Sequence, residues 1–213
     1  MTHKPNPNLY LVANFTPEMS EKEYLERCEA ALKGGVGVLQ LRAKQSEVRS
    51  QIALGEQLRD LTRKYRATFF VNDRVDVALT VRADGVHLGQ QDLPPAFARQ
   101  FAPGLLIGRS THAPEQALHA VKEGAHYFAV GPIWETPTKA GRKAVGLEYA
   151  RWAVQQKIPL PFYAIGNVNL DNITELVMAG VQRVAVVRAL LNAPDPEQAA
   201  RGFCKSLELV HAG

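Results

Sequence analysis

The sequence predicts an α/β protein built as a single (β/α)8 barrel, and three observations lead there. Short β-branched or apolar runs recur roughly every 20 to 30 residues. Each is followed by a stretch of helical periodicity, and the runs carry so little polarity that both of their faces must be covered, as in a parallel sheet. At 213 residues the chain lies at the small end for one barrel, so residues 1–213 read as one domain. An open doubly wound sheet is the other way to assemble the same units.

Eight strands are expected, at residues 9–13, 36–41, 68–71, 85–88, 105–108, 127–131, 161–165 and 183–187. Residues 21–33 place Tyr24, Cys28, Ala31 and Leu32 on one apolar helical face, with Ser20 as an N-terminal cap. Residues 114–123 and 196–210 each open on a proline, which suits the first turn of a helix.

Apolar residues make up 46% and charged residues 22%, a balance that excludes a disordered chain. The net charge of +4 is spread without a dense basic run, which argues against nucleic acid as a partner. It suits small anionic ligands if the cations converge. Residues 1–14 lack the basic-then-apolar layout of a signal peptide, and no apolar run is long enough to span a bilayer, so no membrane partner is expected. The only two cysteines, Cys28 and Cys204, both fall on helical segments and read as core hydrophobes in a reducing cytoplasm.

Barrel enzymes carry their chemistry on the loops that follow the strands, which makes the strand ends the place to look. After the second strand, a period of two puts Gln40, Arg42 and Lys44 on one face, a pattern that favours an anion over the plainer alternative of a strand ending at Leu41. The third strand ends in Asn72 and Asp73, and the fourth is followed by Gly89, Gln90, Gln91 and Asp92. One carboxylate on each of two adjacent strand ends suits Mg²⁺, although each residue alone would also serve as a turn former or helix cap. Ser110 and Thr111 follow the fifth strand and would equally cap the helix that begins at Pro114. After the sixth, residues 131–142 are rich in Gly, Pro, hydroxyls and cations and read as a lid, with Thr136, Thr138 and Lys139 available to a phosphate. Gly166, Asn167, Val187 and Arg188 close the seventh and eighth strands, where barrels often grip phosphate through backbone N–H groups. His3, His119, His126 and His211 read as solvated, and His87 and His112 as structural or peripheral. The Trp134 ring is assigned either to covering a ligand or to the core.

Taken in order, the strings QLRAK, NDRVDVAL, DGVHLGQQDLP, IGRSTH, VGPIWETPTK and AVGLE strongly resemble the thiamine phosphate synthase family, over about Leu9 to about Glu208. That resemblance implies a Mg²⁺-dependent transferase that joins 4-amino-2-methyl-5-hydroxymethylpyrimidine diphosphate to a thiazole ethyl phosphate, through a pyrimidine carbocation, and releases diphosphate. It implies that Gln40, Arg42, Lys44 and Asn72 hold the pyrimidine diphosphate and that Asp73 and Asp92 bind Mg²⁺. Ser110 would line the pyrimidine pocket, Thr136, Thr138 and Gly166 the thiazole phosphate pocket, and Lys139 would contact the diphosphate. Arg42, Lys44 and Lys139 are then the catalytic cations. The chain departs from the family pattern at Asn167, commonly Gly, and at Arg188, commonly Ser. Small phosphorylated substrates are the expected partners, and a homo-oligomer is left open. Two rivals are a thiazole tautomerase of the same fold, whose subgroup carries His where this chain has Pro132, and a noncatalytic phosphate-binding barrel.

Overall fold

In the computed structural model, which describes residues 5–136, 141 and 143–208, eight parallel strands close into a barrel in chain order, β1 beside β8. They are β1 (Asn6–Asn14), β2 (Val36–Arg42), β3 (Thr68–Asn72), β4 (Gly85–Leu88), β5 (Leu106–Thr111), β6 (Tyr127–Val130), β7 (Phe162–Ile165) and β8 (Val184–Val186). Helices alternate with them: α1 (Glu21–Lys33), α2 (Val48–Tyr65), α3 (Val75–Thr80), α4 (Pro95–Phe101), α5 (Pro114–Lys122), α6 (Gly146–Gln155), α7 (Ile173–Met178), α8 (Arg188–Leu191) and α9 (Pro196–Glu208).

Strand alternation divides the apolar residues into two cores. On β1, Leu9, Leu11 and Ala13 join the layer between barrel and helices, whereas Tyr10 and Val12 face the barrel axis. The α1 helix starts as its sequence predicts, with Ser20 accepting from the Glu23 N–H at 3.2 Å. Its apolar face buries Tyr24, Cys28, Ala31 and Leu32, and the Tyr24 hydroxyl donates to the Ala13 carbonyl at 2.8 Å, locking helix to strand. Cys28 and Cys204 are buried and unbridged, in keeping with a packing role. Trp134 is half-buried against the same outer core. Among the described residues no helix is long and apolar enough to cross a membrane.

Six strands end within one residue of their expected bounds, and two differ for identifiable reasons. β1 begins at Asn6 rather than residue 9, because the Asn6 N–H donates to the Gly35 carbonyl at 2.8 Å and Asn6 pairs with Val36 across an irregular register. β5 runs to Thr111 rather than ending at residue 108, because its polar residues are satisfied within the sheet layers instead of by water. Ser110 and Thr111 are therefore strand residues, not helix caps; Ala113 precedes α5 without a side-chain cap.

The barrel interior is filled by rings. Tyr10, Phe70, Tyr127 and Tyr163 meet with centroids 5.1 Å (Tyr10–Tyr163), 5.3 Å (Phe70–Tyr127) and 5.5 Å (Tyr127–Tyr163) apart, each nearly edge-to-face. Two glycines make the space. A Cβ on Gly108 would stand 2.1 Å from the Tyr127 ring, and one on Gly85 2.3 Å from the Phe70 ring. Gly108→Ala is therefore expected to destabilise the fold by about 1–3 kcal/mol through overpacking, measured by urea unfolding. An unchanged midpoint would mean that the Tyr127 ring shifts freely.

Candidate active site

The C-terminal ends of the strands surround a cavity whose floor is that ring cluster, with Tyr10, Tyr127 and Tyr163 among its walls. Gln40 and Arg42 enter it from β2, Asn72 from β3, His87 from β4 and Ser110 from β5. Across the barrel it is bounded by Thr136, Gly166, Asn167, Val187 and Arg188. A second, adjoining cavity shares Arg42, Val187 and Arg188 and adds Lys44, Asn14 and Asn192. Alternation thus holds for Gln40 and Arg42, while Lys44 lies just beyond the end of β2. Thr138 and Lys139 fall outside the described residues.

Arg42 donates to the Asn14 side-chain oxygen at the end of β1. Burial holds its guanidinium below the usual arginine range, with Asp73 nearby acting in the opposite sense. Asp73 sits at φ 63°, a left-handed conformation that aspartate tolerates, and its N–H donates to the His87 carbonyl at 2.9 Å. Its carboxylate meets the Lys44 ammonium at 2.6 Å. Even so, burial and contact with Asp92 raise the Asp73 carboxyl above the ordinary range, and Lys44 offsets this only in part. Asp92 in turn accepts the Gly89 N–H at 2.6 Å. The Gly89 carbonyl is held by Arg109, which points outward from β5 and pairs with Glu123 at 3.1 Å. The two predicted carboxylates are therefore brought together, on backbone fixed from both sides. Among the described residues no group of three or more His, Cys, Asp or Glu side chains could hold a metal, so zinc-type coordination has no candidate there.

At the far side, Gly166 takes φ 115° where Trp134 N–H meets its carbonyl at 3.2 Å, and a Cβ there would lie 2.4 Å from Pro132. Asn167 is also left-handed, at φ 54°, and its side-chain oxygen accepts from Arg188 at 3.2 Å. The two departures from the family pattern are thus bonded to each other.

Sequence reasoning passed over the residues that link the two walls from beneath. Gln40 donates to the Tyr10 hydroxyl at 2.6 Å, Tyr10 and Tyr127 share a hydrogen bond of 2.9 Å, and His87 bridges Tyr127 and Ser110 at 2.8 Å each. His87 is consequently a cavity residue rather than a peripheral one. Its inward direction follows from alternation with Gly85 on β4, but nothing local in the sequence joins Tyr10 to Tyr127. His112 also borders the cavity, beside the Gly131 carbonyl.

A parallel barrel with paired carboxylates, converging cations and an open cavity at its C-terminal face defines a phosphate-handling barrel enzyme. The comparisons specify which: the family model described as thiamine monophosphate synthase matches residues 9–190, and the chain belongs to that family. It is 54% identical to the thiamine-phosphate synthase of Thermus thermophilus over 93% of this chain and 96% of that one. It is 52% identical to the thiamine-phosphate synthase of Deinococcus radiodurans over 96% of this chain and 75% of that one. The solved thiamine phosphate pyrophosphorylase from Pyrococcus furiosus superposes with a TM-score of 0.87 at 39% identity, covering 96% of each chain. A 3-hexulose-6-phosphate synthase from Salmonella typhimurium, at 16% identity and a TM-score of 0.70, shares the fold alone.

Burial raises the hydroxyl pKa of Tyr10, Tyr24 and Tyr127, and brings Tyr149 and Tyr163 to about 12. Because the unfolded chain ionises these groups near pH 10, the stability they contribute is complete below about pH 10 and is lost as pH climbs towards the folded values. Absorbance of tyrosinate should therefore rise together with loss of secondary structure, not before it. Early, reversible ionisation of most of the tyrosines in folded protein would contradict this burial.

Proposed function

We propose that the chain couples 4-amino-2-methyl-5-hydroxymethylpyrimidine diphosphate to a thiazole ethyl phosphate, giving thiamine phosphate and diphosphate, with Mg²⁺ as cofactor. The supporting observation is one cavity bordered by Gln40, Arg42, Asn72 and Ser110 on one arc and by Gly166 and Arg188 on the other. Two phosphorylated substrates then have separate grips in one enclosure.

On this reading Gln40, Asn72 and Ser110 hold the pyrimidine. Arg42, Lys44 and Lys139 hold its diphosphate and take up the negative charge that grows on it as the C–O bond breaks. Thr136, Thr138, Gly166, Asn167, Val187 and Arg188 seat the thiazole phosphate, so that the thiazole nitrogen faces the carbon that the diphosphate leaves. Asp73 and Asp92 fit Mg²⁺: they are hard oxygen donors in contact, and their mutual repulsion is the cost that a divalent cation removes. When bound, Mg²⁺ supplies charge neutralisation for the departing diphosphate. The partners are the two small phosphorylated substrates, and residues 1–213 act as one cytoplasmic domain.

The isomerase alternative needs a proton-transfer group where this chain has Pro132, which borders the cavity with a ring that moves no proton. Mixing both substrates, Mg²⁺ and protein should yield thiamine phosphate and diphosphate, and a chelator should abolish the yield until Mg²⁺ is returned. No product, or undiminished turnover in metal-free buffer, would be fatal respectively to the reaction and to the metal.

Arg188 is assigned to the thiazole phosphate, with its bond to Asn167 aiming the guanidinium. Arg188→Ser should raise the KM for that substrate by the equivalent of roughly 1.5–3 kcal/mol and leave the pyrimidine diphosphate KM nearly unchanged. An unaltered thiazole phosphate KM in steady-state kinetics removes Arg188 from the site.

A further inference from the structure

An arginine that grips an anion has two opposed needs: an acceptor that aims its guanidinium, and a positive charge that this acceptor does not cancel. Where arginines of this chain support the fold, carboxylates hold them: Arg27 meets Glu23 at 2.9 Å, Arg59 meets Asp84 at 2.8 Å and Arg109 meets Glu123 at 3.1 Å. The two arginines that border both cavities are held otherwise. Arg42 donates to the side-chain oxygen of Asn14, and Arg188 to that of Asn167 at 3.2 Å. A guanidinium has only donors, so each amide must turn its oxygen towards it. Asn14 and Arg42 stand opposite each other across β1 and β2, and the Phe15 N–H donates to the Arg42 carbonyl at 2.8 Å, so both ends of their bond rest on fixed backbone. Among the described residues no carboxylate pairs with Arg42; Asp73, whose charge reaches it, is itself engaged by Lys44 at 2.6 Å.

We infer that Asn14 is a positioning residue for Arg42, a neutral acceptor that aims the guanidinium at the diphosphate and leaves its whole charge to that ligand. This role depends on the diphosphate reading of Arg42 given above. Asn14 borders the adjoining cavity, not the one that holds Gln40 and Ser110, and acts through Arg42. An aspartate in its place would hold the guanidinium more firmly and would stay ionised beside it, but its charge would stand against that of the diphosphate. A leucine of similar size would leave the charge of Arg42 intact and remove its aim. Burial already disfavours that charge, so an acceptor is needed even where a counter-charge is not wanted.

The test compares wild type, Asn14→Asp and Asn14→Leu by calorimetric titration with inorganic diphosphate in the presence of Mg²⁺, and by urea unfolding without ligand. Asn14→Asp should keep or raise the unfolding midpoint, because the bond to Arg42 becomes an ion pair, yet weaken diphosphate binding by about 10-fold or more. A merely structural role would not separate the two readouts, since aspartate retains the acceptor. Asn14→Leu should lower the midpoint and weaken diphosphate binding together. In steady-state kinetics both variants should raise the KM for the pyrimidine diphosphate and leave that for the thiazole phosphate within about twofold of wild type. Undiminished diphosphate binding in either variant overturns the role of Asn14, as does a loss of affinity in Asn14→Asp that comes with a lowered midpoint. If Asn14→Leu fails to fold, Asn14→Asp decides alone. Wild-type protein that neither binds diphosphate nor forms thiamine phosphate instead overturns the diphosphate role of Arg42, and the role of Asn14 with it.

Discussion

A closed eight-stranded barrel leaves an interior that side chains must fill, and in this chain aromatic rings fill it. Three of the four rings are tyrosines, so the packing solution brings hydroxyls into a place without water. Each must find a partner or impose a desolvation cost. Tyr163 finds one below, in the Pro7 carbonyl, while Tyr10 and Tyr127 find each other and then reach up to Gln40 and His87. The floor of the cavity is thereby rigid in two senses, by ring contact and by hydrogen bonding. Polar groups at its mouth inherit their orientation from that floor.

The opposite physical situation holds beside it. Asp73 and Asp92 are in contact, and the single ammonium of Lys44 does not offset their repulsion and burial. Such an arrangement persists because the backbone is over-determined: Asp73 is tied to β4 through the His87 carbonyl, and the Gly89 turn is held by Asp92 on one side and Arg109 on the other.

The barrel itself was legible in the sequence because parallel strands covered on both faces must be short and apolar, and six of the eight fell within a residue of their bounds. The strand that misled was β5, whose Arg109, Ser110 and Thr111 look like a loop to any reading based on polarity. Each is satisfied by a residue remote in sequence, Glu123, His87 and Tyr149 respectively, at 3.1, 2.8 and 2.7 Å. Gln40, Arg42 and Asn72 were readable from alternation and strand ends, and they do border the cavity. Asp73 and Asp92 were readable as Mg²⁺ candidates from two adjacent strand ends, a role the family resemblance also implies, while their contact is a fact of tertiary structure. The Tyr10–Tyr127 bond spans 117 positions and leaves no local signature at all.

On β5, neighbouring residues serve different sides of the sheet: Arg109 reaches outward to Glu123, Ser110 inward to His87, and Thr111 outward to Tyr149. Sliding this strand by one position would exchange the two sets at once. The guanidinium of Arg109 would be driven among the rings of the interior with no carboxylate to meet it, and Ser110 would be stranded among the apolar helices. Mispairing at this strand is thus far costlier than at an all-aliphatic one such as β8 (Val184–Val186), where a slip would trade one small apolar side chain for another. The polar residues that disguise β5 in the sequence are thus also what specifies its register, because sliding the strand by one residue takes each of them away from its partner.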